Sequence, residues 1–376
     1  MNILHLSSHY PDNITPNTTW AIKNLIDAGN TFSKNHCISI HNARKFNQGI
    51  VLGDKYTTLN VWGMPLVVGM RNYCNRCVKF IINGKCISNN KYNFIHAHRL
   101  SVDGGIAYKL AKIYKLPFCV SVRATDFQLL RFKPYLKKYF IRILCAANSI
   151  SVISPWLKEW IKSFTGNHWD TEIKIKTIVL SNVVDGELIY NENNNNRYIM
   201  ISSLSNNQLK RKNIFRTLKA IQLYSKQHKV INLDIVGSGN GVEKVLKQVK
   251  NLELESQIKL VGKITHAEIP KVMSRYKALI LCSFPETFGL VYIEALKSGI
   301  PIIHTKDTGV DGLFTHIDIA SKAKHSNTNS IVDAINKMES NYYIYKSNVK
   351  SLHDNKTLSH YSKNYYSNRL KKLYSC

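Results

Sequence analysis

The sequence predicts an α/β protein of two domains, each a parallel sheet with helices on both faces. Three observations carry that prediction. The 376 residues exceed what one hydrophobic core usually organises. Short apolar runs alternate with segments of helical periodicity along most of the chain. A polar, low-complexity hexamer, Asn191-Glu192-Asn193-Asn194-Asn195-Asn196, breaks the pattern near the midpoint and reads as a linker.

Before the hexamer, residues 2–7, 92–97, 117–122 and 149–153 are short apolar runs of the kind found in buried strands. Residues 105–113 and 135–146 carry apolar side chains at helical spacing. After it the alternation is cleaner. Strands are predicted over 198–204, 231–236, 257–261, 278–282 and 301–304, and helices over 214–226, 241–250, 268–276 and 289–297. Strand and helix taking turns implies a parallel sheet covered on both faces. Two such units facing each other leave a cleft, with ligands at the carboxyl ends of the strands. The domains are therefore set at 1–190 and 198–355, joined by 191–197.

Composition narrows the function classes. The start, MNILHLSSHYP, lacks the basic flank and long apolar run of a secretory signal, and no stretch approaches a membrane span. A cytoplasmic protein is expected. Its cysteines, at 37, 74, 77, 86, 119, 145, 282 and 376, are then expected as thiols rather than disulfides. Cys74, Cys77 and Cys86, with His96 and His98, invite a zinc reading, but the second close ligand pair of a structural site is missing. No metal site is assigned.

Charge is the extreme quantity, a net +28, and residues 55–142 hold 16 basic side chains against two acidic ones, Asp103 and Asp126. Such a surface suits nucleic acid, an anionic membrane or a phosphorylated substrate. Neither a helix-turn-helix signature nor an RNA-reading aromatic motif is found, so no nucleic-acid partner is assigned. Residues 131–142, with 71–85, mix cations with aromatic and aliphatic side chains, as segments resting on an anionic bilayer do. The competing reading is a core-facing helix with a basic outer face. Peripheral association with the inner face of the cytoplasmic membrane is expected.

The most informative stretch runs from Ser283 to Leu296, SFPETFGLVYIEAL. A buried strand ends near Ser283, a turn carries Glu286, and a helix opens near Gly289. Thr287, Phe288, Gly289 and Leu290 thus lie where free N–H groups and the helix dipole can hold a diphosphate. Gly289 lets it approach the backbone closely. Glu286 is placed to accept hydrogen bonds from sugar hydroxyls, and Glu294, inside the helix, from a ribose.

The spacing Glu286-x7-Glu294, with Phe-Gly-Leu after the first and Ala-Leu after the second, resembles the retaining GT-B glycosyltransferase family. That family includes bacterial glycogen synthases and lipid-directed mannosyltransferases. Lys297-Ser298-Gly299-Ile300-Pro301 and Thr308-Gly309-Val310 also match its pattern. The resemblance is strongest over 233–312. It implies a GT-B fold, a UDP- or GDP-linked sugar as co-substrate, no further cofactor, and retention of anomeric configuration without a metal. A lipid-linked oligosaccharide or polysaccharide acceptor, held by the N-terminal domain, would explain the expected membrane association. Residues 356–376 are expected as a C-terminal helix packing back on that domain.

Other positions follow from the resemblance. Gly237 ends a strand and permits tight packing near the nucleotide, and Gly262 lies in the segment beside the base. The family's diphosphate-gripping lysine aligns with Lys212, with Lys210 or Arg211 as substitutes, whereas its arginine is Ser203 here. Arg123-Ala124 stands where many members have histidine-glycine. Arg123 is permanently charged and cannot shuttle protons; it neutralises the diphosphate or holds an acidic acceptor. Asp126 orients Arg123 or an acceptor hydroxyl, unless the two form a structural ion pair. His98 is expected to face the cleft. Asn17-Thr18-Thr19 replaces the usual glycine-rich loop. Three alternatives are weighed against a transferase: a GT-B nucleotide-sugar epimerase, a non-catalytic scaffold, and a basic nucleic-acid-binding protein.

Overall fold

A computed structural model describes residues 1–15, 21–43, 47–63, 69–87, 91–184, 186–192 and 195–375. The chain divides into two units, Met1–Val183 with Tyr361–Cys376, and Val184–His360.

The first unit runs β1 (Asn2–Ser7), α1 (Ala21–Gly29), β2 (Lys34–Ala43), β3 (Gly49–Val51), β4 (Tyr56–Trp62), α2 (Met70–Asn83), β5 (Phe94–Ala97), α3 (Val102–Tyr114), β6 (Phe118–Val122), α4 (Ala124–Phe132), α5 (Lys137–Ala146), β7 (Ser149–Val152), α6 (Pro155–Thr165) and β8 (Thr177–Val179). Its sheet has the order β3-β4-β2-β1-β5-β6-β7-β8, with only the β3–β4 pair antiparallel. Every residue of β5, β6 and β7 is buried, as expected for strands covered on both faces. Helix α2 turns Tyr73, Cys74, Cys77 and Ile81 inward. α3 comes so close that a Cβ on Gly105 would lie 2.8 Å from Cys74 Sγ. Burial pushes the Cys77 thiol up to about 12. These are core thiols, and His96 and His98 gather with His5 instead.

The second unit runs β9 (Arg197–Ile201), α7 (Asn206–Leu209), α8 (Ile214–Gln227), β10 (Asn232–Val236), α9 (Val242–Asn251), β11 (Ile258–Gly262), α10 (Ile269–Met273), β12 (Ala278–Ile280), α11 (Leu290–Lys297), β13 (Ile302–Thr305), β14 (Ala320–Ala323), α12 (Thr328–Ser340) and α13 (Tyr342–Asp354). Its sheet is parallel throughout, in the order β11-β10-β9-β12-β13-β14. The chain leaves β9 toward β10 on one side, while β12 flanks β9 on the other. The loops after β9 and β12 therefore diverge at the carboxyl edge, where open α/β sheets bind ligands.

The change of unit comes at Val183/Val184, ahead of the asparagine run. Ile189 N donates to Lys297 O at 2.8 Å, and Lys297 Nζ to Val184 O at 3.0 Å, which ties this stretch to the second unit. The last helix, α14 (Lys363–Tyr374), belongs to the first unit. Its Tyr366, Leu370, Leu373 and Tyr374 pack with Ile3, Leu25, Phe94 and Cys119. Among the described residues, no helix is long and apolar enough to cross a membrane.

Candidate active site

Two loops of the second unit are tied together where β9 and β12 end, because Phe284 N donates to Arg211 O at 2.7 Å. Lys212 Nζ, from the first loop, lies 2.8 Å from Glu286 Oε2, from the second, with only 15% and 9% of the side chains exposed. Ser283 Oγ donates to the same oxygen at 2.8 Å, and Thr287 N to Oε1 at 3.1 Å. Thr308, after β13, accepts Glu286 N at 3.0 Å and donates to Glu286 O at 2.7 Å. Burial pushes the Glu286 carboxyl up, but the Lys212 charge and the bonds from Lys212 and Ser283 hold it below the usual carboxylate range. At neutral pH Glu286 is a fixed anion. It can accept hydrogen bonds and has no proton to give.

Behind it, Gly289 caps α11 with φ +77°, where an added Cβ would fall 2.4 Å from the Tyr292 ring. Tyr292 is immobilised by its own bond from Oη to Leu281 O, at 2.7 Å. Phe288 is buried and Leu290, half-buried, opens the helix. The first amides of an α-helix have no intrahelical acceptors, so this end carries partial positive charge. Glu294 lies farther along α11 and borders a cavity of about 460 Å³, whose wall includes Gly186, Glu187, His266, Ile269 and Pro270. His266 Nε2 is 3.4 Å from Glu294 Oε1. That wall contains Glu294 and not Glu286.

The remaining donor-side positions separate into two groups. Gly237 serves loop packing: its φ is +153°, and an added Cβ would sit 1.8 Å from Ser202 O. Its N–H donates to Gly262 O at 2.8 Å. Gly262, with φ +88°, has open space where a Cβ would point. Ser203 is exposed and bonded through Oγ to Ser205 Oγ at 3.1 Å, and Lys210 is exposed at the end of α7. Of the three adjacent cations, Lys212 is the one bonded to Glu286.

The first unit brings His98, Arg123 and Asp126 together differently from the sequence expectation. Asp126 accepts Arg123 N at 3.0 Å, Leu100 N at 3.2 Å and Ser101 N at 3.0 Å. It knits two loops together through backbone amides, and its bonds are neither to the Arg123 guanidinium nor available to an acceptor hydroxyl. Arg123 is buried, its Nε donating to His98 O at 2.9 Å and its Nη1 to Asn182 Oδ1 at 3.3 Å, while Nη2 has no partner. His98 is fully buried rather than open to solvent, because its ring stacks on His96 with centroids 4.2 Å apart. Its Nε2 meets His5 Nδ1 at 3.0 Å. Burial and the neighbouring histidines hold it well below its ordinary pKa, so it is neutral. Asn17-Thr18-Thr19 lies outside the described residues.

This arrangement can be set beside known proteins. Residues 187–356 match the family model described as glycosyl transferases group 1. An uncharacterized glycosyltransferase of Methanocaldococcus jannaschii is 22% identical over 285 residues, 75% of each chain. Anabaena HepE, solved with UDP, superposes with a TM-score of 0.71 at 16% identity, covering both chains completely. The lipopolysaccharide outer core galactosyltransferase WaaB superposes with a TM-score of 0.67 at 14% identity, covering 99% of each. The chain has the GT-B fold, and residues 187–356 within it match the group 1 glycosyl transferase model. These matches lend no support to the epimerase, scaffold or nucleic-acid-binding alternatives.

Sequence reasoning missed several residues in and outside this candidate site. Ser283 and Thr308 hold Glu286, and His266 faces Glu294. In the first unit Asp103, at the start of α3, has its carboxyl pushed up to about 7 by burial. Its Oδ1 accepts Ser8 N at 3.1 Å and its Oδ2 has no partner. The Thr308-Gly309-Val310 motif was the available signal for one of these. Ser283 opens the stretch that carries Glu286, three residues away, whereas His266 and Asp103 depend on contacts distant in sequence.

Proposed function

We propose that this protein is a glycosyltransferase that moves a hexose-type sugar from a UDP- or GDP-linked donor to a lipid-linked oligosaccharide or polysaccharide, with retention of configuration. The observation that carries the reading is the buried Lys212–Glu286 pair in front of the α11 N-terminus at the sheet's switch point. Lys212 and the opening amides of α11, at Leu290 and its neighbours, receive the diphosphate. Glu286 accepts hydroxyls of the donor sugar. Glu294 accepts those of the ribose, and the open surface at Gly262 takes the base. The charge leaving with the diphosphate is met by fixed protein groups, which lowers the barrier electrostatically. No metal or further cofactor is assigned a role in the step.

Arg123 Nη2, uncommitted and buried, takes an acidic acceptor, while His98 and Asp126 position its loop. UDP in the HepE structure and the lipopolysaccharide acceptor implied by the galactosyltransferase's name support these choices. Phe132 and Tyr135 are 78% and 58% exposed beside Arg131, Lys133, Lys137 and Lys138, which fits docking on an anionic cytoplasmic membrane face.

A thermal-shift series with UDP-, GDP-, ADP- and dTDP-sugars tests the donor reading. A donor at a hundred times its Kd stabilises the native state by about 2.7 kcal/mol. Glu286→Gln should keep the fold and abolish transfer, and wild-type turnover in that variant would end the proposal. Product anomeric configuration, read by NMR, tests retention.

A further inference from the structure

Among the described residues, two groups of side chains bring metal-binding atoms within 4.8 Å of one another: His5, His96 and His98, and Cys145, His168 and Glu172. They differ in chemistry. In the first, the rings are stacked and their nitrogens are already bonded, to each other and to Asn35, Tyr374 and Ser121. Only His98 Nδ1 is left over. Stacked rings do not aim their lone pairs at a common point.

The second group converges. Cys145 is near the end of α5, and His168 and Glu172 lie one helical turn apart after α6, on a short π-helical turn. Cys145 Sγ is 3.8 Å from His168 Nδ1, and that same nitrogen is 3.4 Å from Glu172 Oε1. A nucleophile–base–acid relay needs the two ring nitrogens to serve different neighbours. Here one nitrogen faces both, and it carries either a proton or a lone pair. Tetrahedral zinc with the usual bond lengths has S···N and N···O edges of about 3.5 and about 3.3 Å. The observed separations are within a few tenths of an ångström of these.

We infer that Cys145, His168 and Glu172 form a binding site for a zinc-class divalent cation, with water in the fourth position. Thiolate and carboxylate would balance the ion's two charges, and the thiol proton would leave to solvent. The nearest cation, Lys176, donates to Cys145 O at 2.6 Å, so its ammonium is held at the backbone. Cys145 is half-buried, while the His168 and Glu172 side chains are 52% and 48% exposed, which leaves an entry path. The ion would clip α5 to the turn that precedes β8. The site lies in the first unit, with no part in the donor chemistry.

The test is titration of the metal-free full chain with Co²⁺ alone, then with Zn²⁺. One equivalent of Co²⁺ should give the d–d bands of a four-coordinate ion and a near-ultraviolet thiolate charge-transfer band. Zn²⁺ should displace it and raise the unfolding temperature. Cys145→Ser should lose the charge-transfer band, and His168→Ala should weaken binding at least tenfold, both with unchanged circular dichroism and transfer activity. A wild-type chain without the band, or a band that survives in Cys145→Ser, would overturn the site.

Discussion

Removing the Lys212 ammonium should expose how strongly the loops after β9 and β12 depend on it. Lys212→Met keeps the aliphatic stem and deletes the charge that faces Glu286 at 2.8 Å. Stripping one partner from a buried ion pair typically costs about 3–5 kcal/mol, because the other charge is left without compensation. Glu286 retains the Ser283 hydroxyl and the Thr287 amide. Each such bond to a charged group offsets part of the loss, so the expected cost at pH 8 is about 2–3 kcal/mol. The pH dependence identifies the cause. In the wild type the Glu286 carboxyl lies below its ordinary range, so its contribution is present above the unfolded pKa and is lost as pH falls through the folded one. In the variant, burial dominates and the carboxyl titrates higher, so acidification relieves the buried charge and the deficit shrinks toward pH 5. Urea unfolding followed by circular dichroism at the two pH values measures this. Adding Glu286→Gln to Lys212→Met should recover most of the loss at pH 8. A deficit of equal size at both pH values, or strictly additive variants, would refute the argument.

Other expectations follow from single contacts. Gly289→Ala forces a side chain into a left-handed conformation against the Tyr292 ring, and should cost at least about 1–2 kcal/mol by urea titration and weaken donor binding. Asp103, with its carboxyl raised to about 7, contributes stability that is complete below its unfolded pKa and lost as pH rises through 7. Asp103→Asn should therefore remove a slope of about 1.4 kcal/mol per pH unit between pH 5 and 7, read from paired unfolding curves. Tyr374→Phe leaves the buried His96 Nδ1 without its 2.8 Å partner and should cost about 1–3 kcal/mol in the unfolding midpoint.

The parts of this molecule that could be read from its sequence are those whose cause is local. Strands β5, β6 and β7 are buried on both faces and therefore appear as unbroken apolar runs. Strands β2 and β4 were missed because they mix the periods: His36 bonds Thr57 Oγ1 across the pair at 2.8 Å, and His41 bonds Asp12, giving polar residues a buried place. The turn carrying Glu286 was legible because strand end, acid and helix-capping glycine fall within seven residues. Its pairing with Lys212 spans 74 positions and its clamp by Thr308 spans 22, so resemblance suggested the first residue and only folding joins the three. Arg123 and Asp126 show the opposite failure. Their closeness in sequence suggested an ion pair, whereas the helix start between them turns the carboxylate toward backbone amides.

Because α14 completes the hydrophobic interior around Ile3, Leu25 and Phe94, the stretch from Val184 to His360 is an insertion within a discontinuous host. Exchanging this second unit with that of another protein of the same architecture would thus take two splice sites, one near Val183 and one near Tyr361. A single crossover would swap the final helix along with the cassette, and leave Tyr374's partner, His96, facing a stranger's sequence.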